Sequence, residues 1–325
     1  MDGNAPAKIR FDTAALPERD RFPMFCEEIV RRYTGLDLRT QDQRGFNAAL
    51  ELRRVGAIDI GRIATSPVNS ARTASLVRDG DDGLLVTLLD CGRALQTQRD
   101  ADQVLEAGEG VVCDCGYPGE LNVVANSEFW NLKIPRYKIA RLFSRPMRFA
   151  GAKLDKDIAA RRLLLGYIRE VFNLDVQASA RAARLYEQHI VDLIALALGA
   201  DGEVRVAAED RGVRAARLSA ILNEIEGNSG DPALSAITVA RRLGVTPRYV
   251  HSLLEETGRS LTHHVLERRL EKAAALLRDP RRQFCRIATI AGEVGFNDLS
   301  HFNRAFRRRY GVTPSDIRNA AASAD

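Results

Sequence analysis

Arg248, His251 and Ser252 recur at three- and four-residue steps, and so do Ser300, Asn303, Arg304 and Arg307, with His301 at the edge of the second set. On a helix such steps return to one face. An arginine can hold guanine through O6 and N7, and His or Ser can reach several base edges in a major groove. Glu255 shares the first face but would meet phosphate repulsion. The competing account is a plain solvated surface, so the elements beneath the two stripes must decide.

Those elements have the imprint of helix pairs crossing steeply over a short turn. Such a pair needs a small residue where the helices touch, glycine where the turn takes positive φ, and apolar inner faces. In residues 236–257, Ala240 is the small contact, Gly244 the turn, and Val239, Leu243, Val245, Val250, Leu253 and Leu254 the core. Thr246 can cap the second helix, and Pro247 suits its first position. In residues 287–310, Ala291 and Gly295 fill the small and turn slots, with Ile290, Val294 and Phe296 inside. Asp298 caps the following helix, whose Phe302, Ala305 and Phe306 face the core. An ordinary helix pair would satisfy the apolar slots without calling for Gly and Ala there. Two helix-turn-helix units are therefore expected.

Between them, Leu261–Leu277 runs seventeen residues without Gly or Pro, a helix of about 25 Å. Successive major-groove faces lie about 34–36 Å apart, so this rod could hold both reading helices on one side of a duplex. Arg281, Arg282, Arg308 and Arg309 lie in or near turns and helix ends and are assigned to phosphates, which position a protein without specifying a base.

The chain as a whole has 325 residues, 45% apolar and 28% charged, enough for more than one core and unlike collagen or disordered chains. Its net charge of +5 is uneven: residues 231–320 carry 16 Lys/Arg against 9 Asp/Glu. A basic end suits a polyanion. No apolar run follows the charges of MDGNAPAKIRFD, and the most apolar stretch, Ile190–Leu198, is nine residues long and broken by Asp192. Neither signal peptide nor membrane span is expected. Five cysteines, an odd number, suggest reduced thiols in a cytoplasm.

Up to Arg39 the pattern is mainly helical. From about 46 to 135, short apolar segments alternate with Gly/Asp turns: 59–64, 84–89, 93–98, 110–113, 121–124 and 129–134. Such strands read as a β-barrel or jelly roll. Helices follow at 137–143, 154–174 and 178–198, the last with a stripe of Tyr186, Ile190, Leu193, Ile194 and Ala197 that could pack on the barrel or on a second copy. Residues 206–215, without a long apolar run, read as a linker. The expected class is α+β multidomain: a barrel with flanking helices over 1–205, then an all-α domain over 216–320.

The last hundred residues closely resemble the DNA-binding domain of the AraC/XylS family of bacterial transcription regulators. Leu243–Val250, Leu266–Ala273 and above all Gly295–Pro314 carry the resemblance; Gly292 and Leu299 depart from the pattern. The first two hundred residues are more loosely similar to the family's cupin-like sensor domain, through Ala107–Asp114. The resemblance implies a cytoplasmic homodimeric regulator that binds double-stranded promoter DNA, contacts RNA polymerase, usually as an activator, and takes a small-molecule effector in the barrel.

The rival is a metal- or thiol-dependent cupin-type enzyme or redox sensor. The histidines are His189, His251, His263, His264 and His301, none in the barrel segment, so a His-based metal site would have to borrow His189. Cys113 and Cys115 could form a thiol pair but suit packing better. No paired carboxylates, nucleophile elbow or phosphate loop stands out. A non-catalytic barrel without metal or resident cofactor is preferred.

Overall fold

In Arg93–Gln98, inward Ala94, Gln96 and Gln98 alternate with outward Arg93, Leu95 and Thr97, the period of a half-buried strand. Strands of this kind dominate the first of two compact units, Met1–Ala216 and Arg217–Asp325, in a computed structural model describing residues 9–32, 35–99, 101–140, 142–143, 149–174, 180–200 and 202–322. Its strands are β1 (Ile9–Asp12), β2 (Asp37–Arg39), β3 (Ala48–Val55), β4 (Ile58–Thr65), β5 (Val68–Arg72), β6 (Leu84–Cys91), β7 (Arg93–Gln98), β8 (Ala101–Glu106), β9 (Gly110–Asp114), β10 (Gly119–Val123), β11 (Ser127–Ile134) and β12 (Ala152–Lys153). They form a seven-stranded sheet, β1-β3-β4-β11-β6-β9-β12, and a five-stranded one, β2-β5-β10-β7-β8. All pairings are antiparallel. The sheets enclose a core that includes Leu50, Leu89, Leu105 and Val111, with Phe46 packed edge-on to Phe22 of the first helix, α1 (Glu18–Arg32).

The sheets thus reach beyond the expected 46–135, drawing in β1, β2 and β12. The segment up to Arg39 is only partly helical. β1 and β2 escaped the sequence reading because they are three or four residues long with no fully buried side chain.

Among the described residues the helices α2 (Arg136–Ala140), α3 (Ile158–Asn173) and α4 (Ala180–Ala197) follow β11, with β12 between the first two. Asp157 caps α3 by accepting the Ala160 N–H at 2.9 Å. The stripe of Tyr186, Ile190, Leu193, Ile194 and Ala197 is buried within the unit, and the Tyr186 ring meets Tyr167 of α3 edge-on at 6.3 Å. Of the two destinations open to that stripe, packing on its own domain is the one realised.

The stretch expected as a linker, 206–215, is a correction. It lies inside a 27-residue helix, α5 (Gly202–Asn228). Ala208, Gly212 and Ala215 are buried on one face, and a Cβ at Gly212 would sit 3.6 Å from Leu196. Arg211 grips the fully buried Asp192 of α4 through Nε at 2.5 Å and Nη2 at 2.9 Å. Small residues and the Arg211–Asp192 ion pair contribute to the docking here, so a search for long apolar runs finds none.

The second unit contains the end of α5, then α6 (Ala236–Leu243), α7 (Pro247–Glu256), α8 (Leu261–Arg278), α9 (Ile287–Glu293), α10 (Leu299–Tyr310) and α11 (Pro314–Ala322). The rod α8 has eighteen residues and is about 27 Å long. Its N-cap Ser260 accepts the His263 N–H. Leu270, Ala273, Ala274 and Leu277 of α8 share one core with Ile290, Phe296, Phe302 and Phe306.

Gly244 and Gly295 both take positive φ, 64° and 97°, but their surroundings differ. A Cβ at Gly295 would come within 2.7 Å of the Gly230 carbonyl oxygen and 2.9 Å of Arg269 Nε, whereas one at Gly244 meets nothing within 4 Å. Gly244→Ala should cost only the left-handed backbone strain, about 1 kcal/mol, and Gly295→Ala at least about 2 kcal/mol more. Urea unfolding of both variants checks this; equal losses would contradict it.

Candidate nucleic-acid interface and interior cavity

Ser235 and Thr238 form a reciprocal capping box at the start of α6, the arrangement that satisfies two otherwise orphaned donors. Gly244 in the left-handed region closes α6, Thr246 caps α7 through the Tyr249 N–H at 3.2 Å, and Pro247 opens it. Val239, Ala240, Val250, Leu253 and Leu254 are buried as expected; Leu243 and Val245, expected in the core, are half-buried. They flank the turn, where the inner faces diverge.

In the second unit of the pair, Asp298 accepts from the Ser300 and His301 N–H groups at 2.7 and 3.1 Å. These bonds hold its carboxyl below the usual carboxylate range. Phe296, Phe302, Phe306 and Tyr310 pack edge-on or tilted in sequence, with centroids 5.0, 5.4 and 4.7 Å apart. That ladder fixes the roll of α10 about its axis.

Burying these faces leaves Arg248, His251 and Ser252 of α7 exposed, and likewise Ser300, His301, Asn303, Arg304, Arg307 and Arg308 of α10. His301 lies beside Phe296, ring centroids 5.8 Å apart. Among the described residues no ion pair engages Arg248, Arg304, Arg307 or Arg308.

Other cations are committed inside the chain. Arg281 pairs with Asp279 at 3.0 Å, Arg282 with Glu293 at 2.7 Å and Arg309 with Glu267 at 2.7 Å. Of the four arginines assigned to phosphates, Arg308 alone has no such pair. Within Leu266–Ala273, Arg269 donates to the Ser229 carbonyl at 2.6 Å and the Asp231 carbonyl at 3.2 Å. Lys272 donates to the Glu226 carbonyl at 2.6 Å. Their work is to satisfy the open carbonyls at the end of α5, a role that sequence spacing did not reveal.

His264, in α8, is buried beside Thr257 at 3.2 Å. The Thr257 hydroxyl donates to the Leu254 carbonyl at 2.6 Å, so it accepts from Nε2–H of a neutral His264. Burial, reinforced by Arg259 and His263, brings this histidine down to about 4. Burial does the same to His189, to about 4, with Arg214 and Arg211 adding to it. Its Nδ1 meets Tyr167 Oη at 2.6 Å. Neither is placed to ligate a metal.

Between the two sheets of the first unit lies a cavity of about 60 Å³, walled largely by apolar side chains such as Phe25, Leu85 and Phe129. Arg72, Thr87, Gln96 and Asn131 supply polar groups. Cys113 and Cys115 also line it, and burial pushes their thiols up to about 11 and about 12. Thiols so far from ionisation make poor nucleophiles or redox sensors. Among the described residues no group of three or more His, Cys, Asp or Glu is placed to hold a metal, and no helix is long and apolar enough to cross a membrane.

Residues 25–199 match the AraC-binding-like domain, and residues 239–320 match a helix-turn-helix domain. The first match alone spans over half the chain. The chain belongs to the AraC/XylS family of transcription regulators. It is 25% identical over 323 residues to the transcriptional activator NphR of a Rhodococcus species, covering 98% of this chain and 95% of that protein. It is 34% identical over 163 residues to the transcriptional activator RhrA of Rhizobium meliloti, covering 50% of each chain. The chain therefore spans half of RhrA and nearly all of NphR. The crystal structure of the AraC-like transcriptional activator CuxR shares the fold, with a TM-score of 0.50 at 18% identity over 82% of this chain and 94% of that one. An AraC/XylS chain is a DNA-binding regulator, not an enzyme, and the cupin-type enzyme alternative gains no support.

The buried histidines make the protein acid-labile in a defined window. Both hold folded-state values near 4 against about 6.5 when unfolded. Their stabilisation is complete above the unfolded value and is lost as pH falls from about 6.5 towards 4, because the unfolded chain takes up the protons first. The melting temperature should fall over that range. His264→Gln should flatten the slope there, and an unchanged slope would refute the assignment.

Proposed function

We propose that the protein is an effector-responsive activator that reads two adjacent major grooves with α7 and α10. Arg248, His251 and Ser252 meet bases from the first helix; Ser300, His301, Asn303, Arg304 and Arg307 do so from the second, with Arg308 on phosphate. The observation that carries this reading is the exposed, ion-pair-free state of Arg248, Arg304, Arg307 and Arg308 opposite two buried apolar faces. An arginine without an internal carboxylate keeps its donors for bidentate recognition.

In this reading residues 1–205 form the effector and dimerisation domain and 216–320 the DNA-binding domain. The regulator acts in the cytoplasm as a homodimer and recruits RNA polymerase at a promoter. The apolar cavity between the sheets supports the effector role, since ligand sites are concave and mainly apolar with a few placed polar groups. That NphR and RhrA are transcriptional activators supports activation.

Arg304→Ala should weaken binding at the preferred site by about 1–3 kcal/mol and relax preference at one base pair. Arg308→Ala should weaken binding to all sequences alike and lower the salt dependence. A binding-selection experiment over randomised duplexes reads both. A sequence profile unchanged by Arg304→Ala would sink the role given to that residue.

A further inference from the structure

Gln96 lines the cavity and is 2% exposed, and its buried Nε2 has no oxygen acceptor; one N–H faces the Cys113 sulfur, a weak acceptor, and the other has no partner. A buried amide donor left unpaired is costly and rare in folded proteins. The contrast lies two residues along the same strand. Gln98 donates through Nε2 to the Asp114 carbonyl at 2.9 Å and the Tyr117 carbonyl at 3.2 Å, and its Oε1 accepts from the Asp114 N–H at 2.8 Å. Gln98 is a latch between strands; Gln96, in the cavity wall, keeps one N–H without an acceptor.

The cation in the same wall is closed. Arg72 Nε donates to the Cys115 carbonyl at 2.7 Å, Nη1 to the Gly35 carbonyl at 2.9 Å and Asp79 Oδ2 at 3.1 Å, and Nη2 to Asp79 Oδ1 at 2.6 Å and the Asp81 carbonyl at 3.5 Å. A guanidinium has five N–H groups, and all five are taken. Its charge is balanced by Asp79, and the other charged residue of the lining, Glu120, is acidic. Thr87 spends its hydroxyl hydrogen on Asn131 Oδ1 at 2.8 Å. A carboxylate entering here would lose water without gaining a cation, a heavy penalty.

The geometry points to a neutral, mainly apolar small molecule whose carbonyl oxygen accepts the free N–H of Gln96. This rests on the reading of the cavity as the effector site and adds the ligand's chemical class. Selection is against the anion, by an arginine already saturated, and for the acceptor, by an amide that is not.

The test uses the full chain and two fragments of nearly equal shape, 4-fluoroacetophenone and 4-fluorobenzoate, titrated with detection by fluorine NMR. The ketone should bind at least about ten-fold more tightly than the carboxylate. Gln96→Leu should weaken the ketone about five- to ten-fold, the loss of one hydrogen bond, while leaving the melting temperature of the ligand-free protein no lower. Leu121→Trp, which fills the cavity, should abolish ketone binding, with its melting curve as the check on folding. Equal or tighter binding of the carboxylate would overturn the ligand class while keeping the site. Undiminished ketone binding by Gln96→Leu would overturn the role of the amide. If neither fragment binds, or Leu121→Trp changes nothing in a folded protein, the cavity is not the ligand site, and the underlying reading fails with it.

Discussion

The burial of one face of α8 under Phe302 and Phe306 is the constraint on which the candidate reading surface depends. Leu270, Ala273, Ala274 and Leu277 offer a face of two leucines and two alanines, and the alanines let the rings of α10 approach closely. Once those rings are seated, the roll of α10 is fixed, and Ser300, Asn303, Arg304 and Arg307 have only the solvent side left to them. The polar residues need no attraction of their own to be placed there. They are oriented by exclusion, since any rotation that buried Arg304 would expose Phe302 or Phe306, at about 1.5–3 kcal/mol for each aromatic side chain.

Glycine and capping residues convert that face partition into a defined geometry. Gly295 is doubly constrained, by positive φ and by the Gly230 carbonyl where a Cβ would stand. Asp298 then restarts the helix at a set position by taking two backbone N–H groups. At the other pair, Gly244, Thr246 and Pro247 do the same within three residues of turn. Between α9 and α10 the turn is longer, Val294–Asp298, and Phe296 within it is buried in the shared core.

Legibility from sequence followed the same physics. The slots of both helix pairs, Thr246, Pro247 and Asp298 as caps and the rod between them were readable because each depends on neighbours within about ten residues. The six strands that were anticipated likewise overlap those found. What escaped depends on partners far away in the chain. In β3 the adjacent Arg53 and Arg54 break the period, and in β8 an exposed Val104 beside a half-buried Gln103 runs against it. Residues 206–215 looked unanchored because their anchor is Asp192 on another helix. Arg269 and Lys272 have no role legible in the sequence, because the carbonyls of Glu226, Ser229 and Asp231 that they serve lie some forty residues away. The polar cavity wall was silent in sequence for the same reason: Gln96 and Gln98 share one strand pattern, and only the fold tells the saturated amide from the open one.

Arginine shows most plainly why residue type alone does not assign a role in this protein. The side chain always carries five donors and one charge, so its function is decided by how many acceptors the fold brings to it. Arg72 meets a carboxylate and three carbonyls and becomes a neutralised strut inside the first unit. Arg211 meets one buried carboxylate and docks a helix. Arg309, one residue from Arg308, is drawn back to Glu267 by its place on the helix. Arg248, Arg304, Arg307 and Arg308 stand on faces from which no internal carboxylate is engaged, and their charge remains available to a polyanion. The basic surplus of the carboxyl end is therefore smaller in effect than a count of residues suggests, and it is concentrated on the helices whose opposite faces are most firmly held.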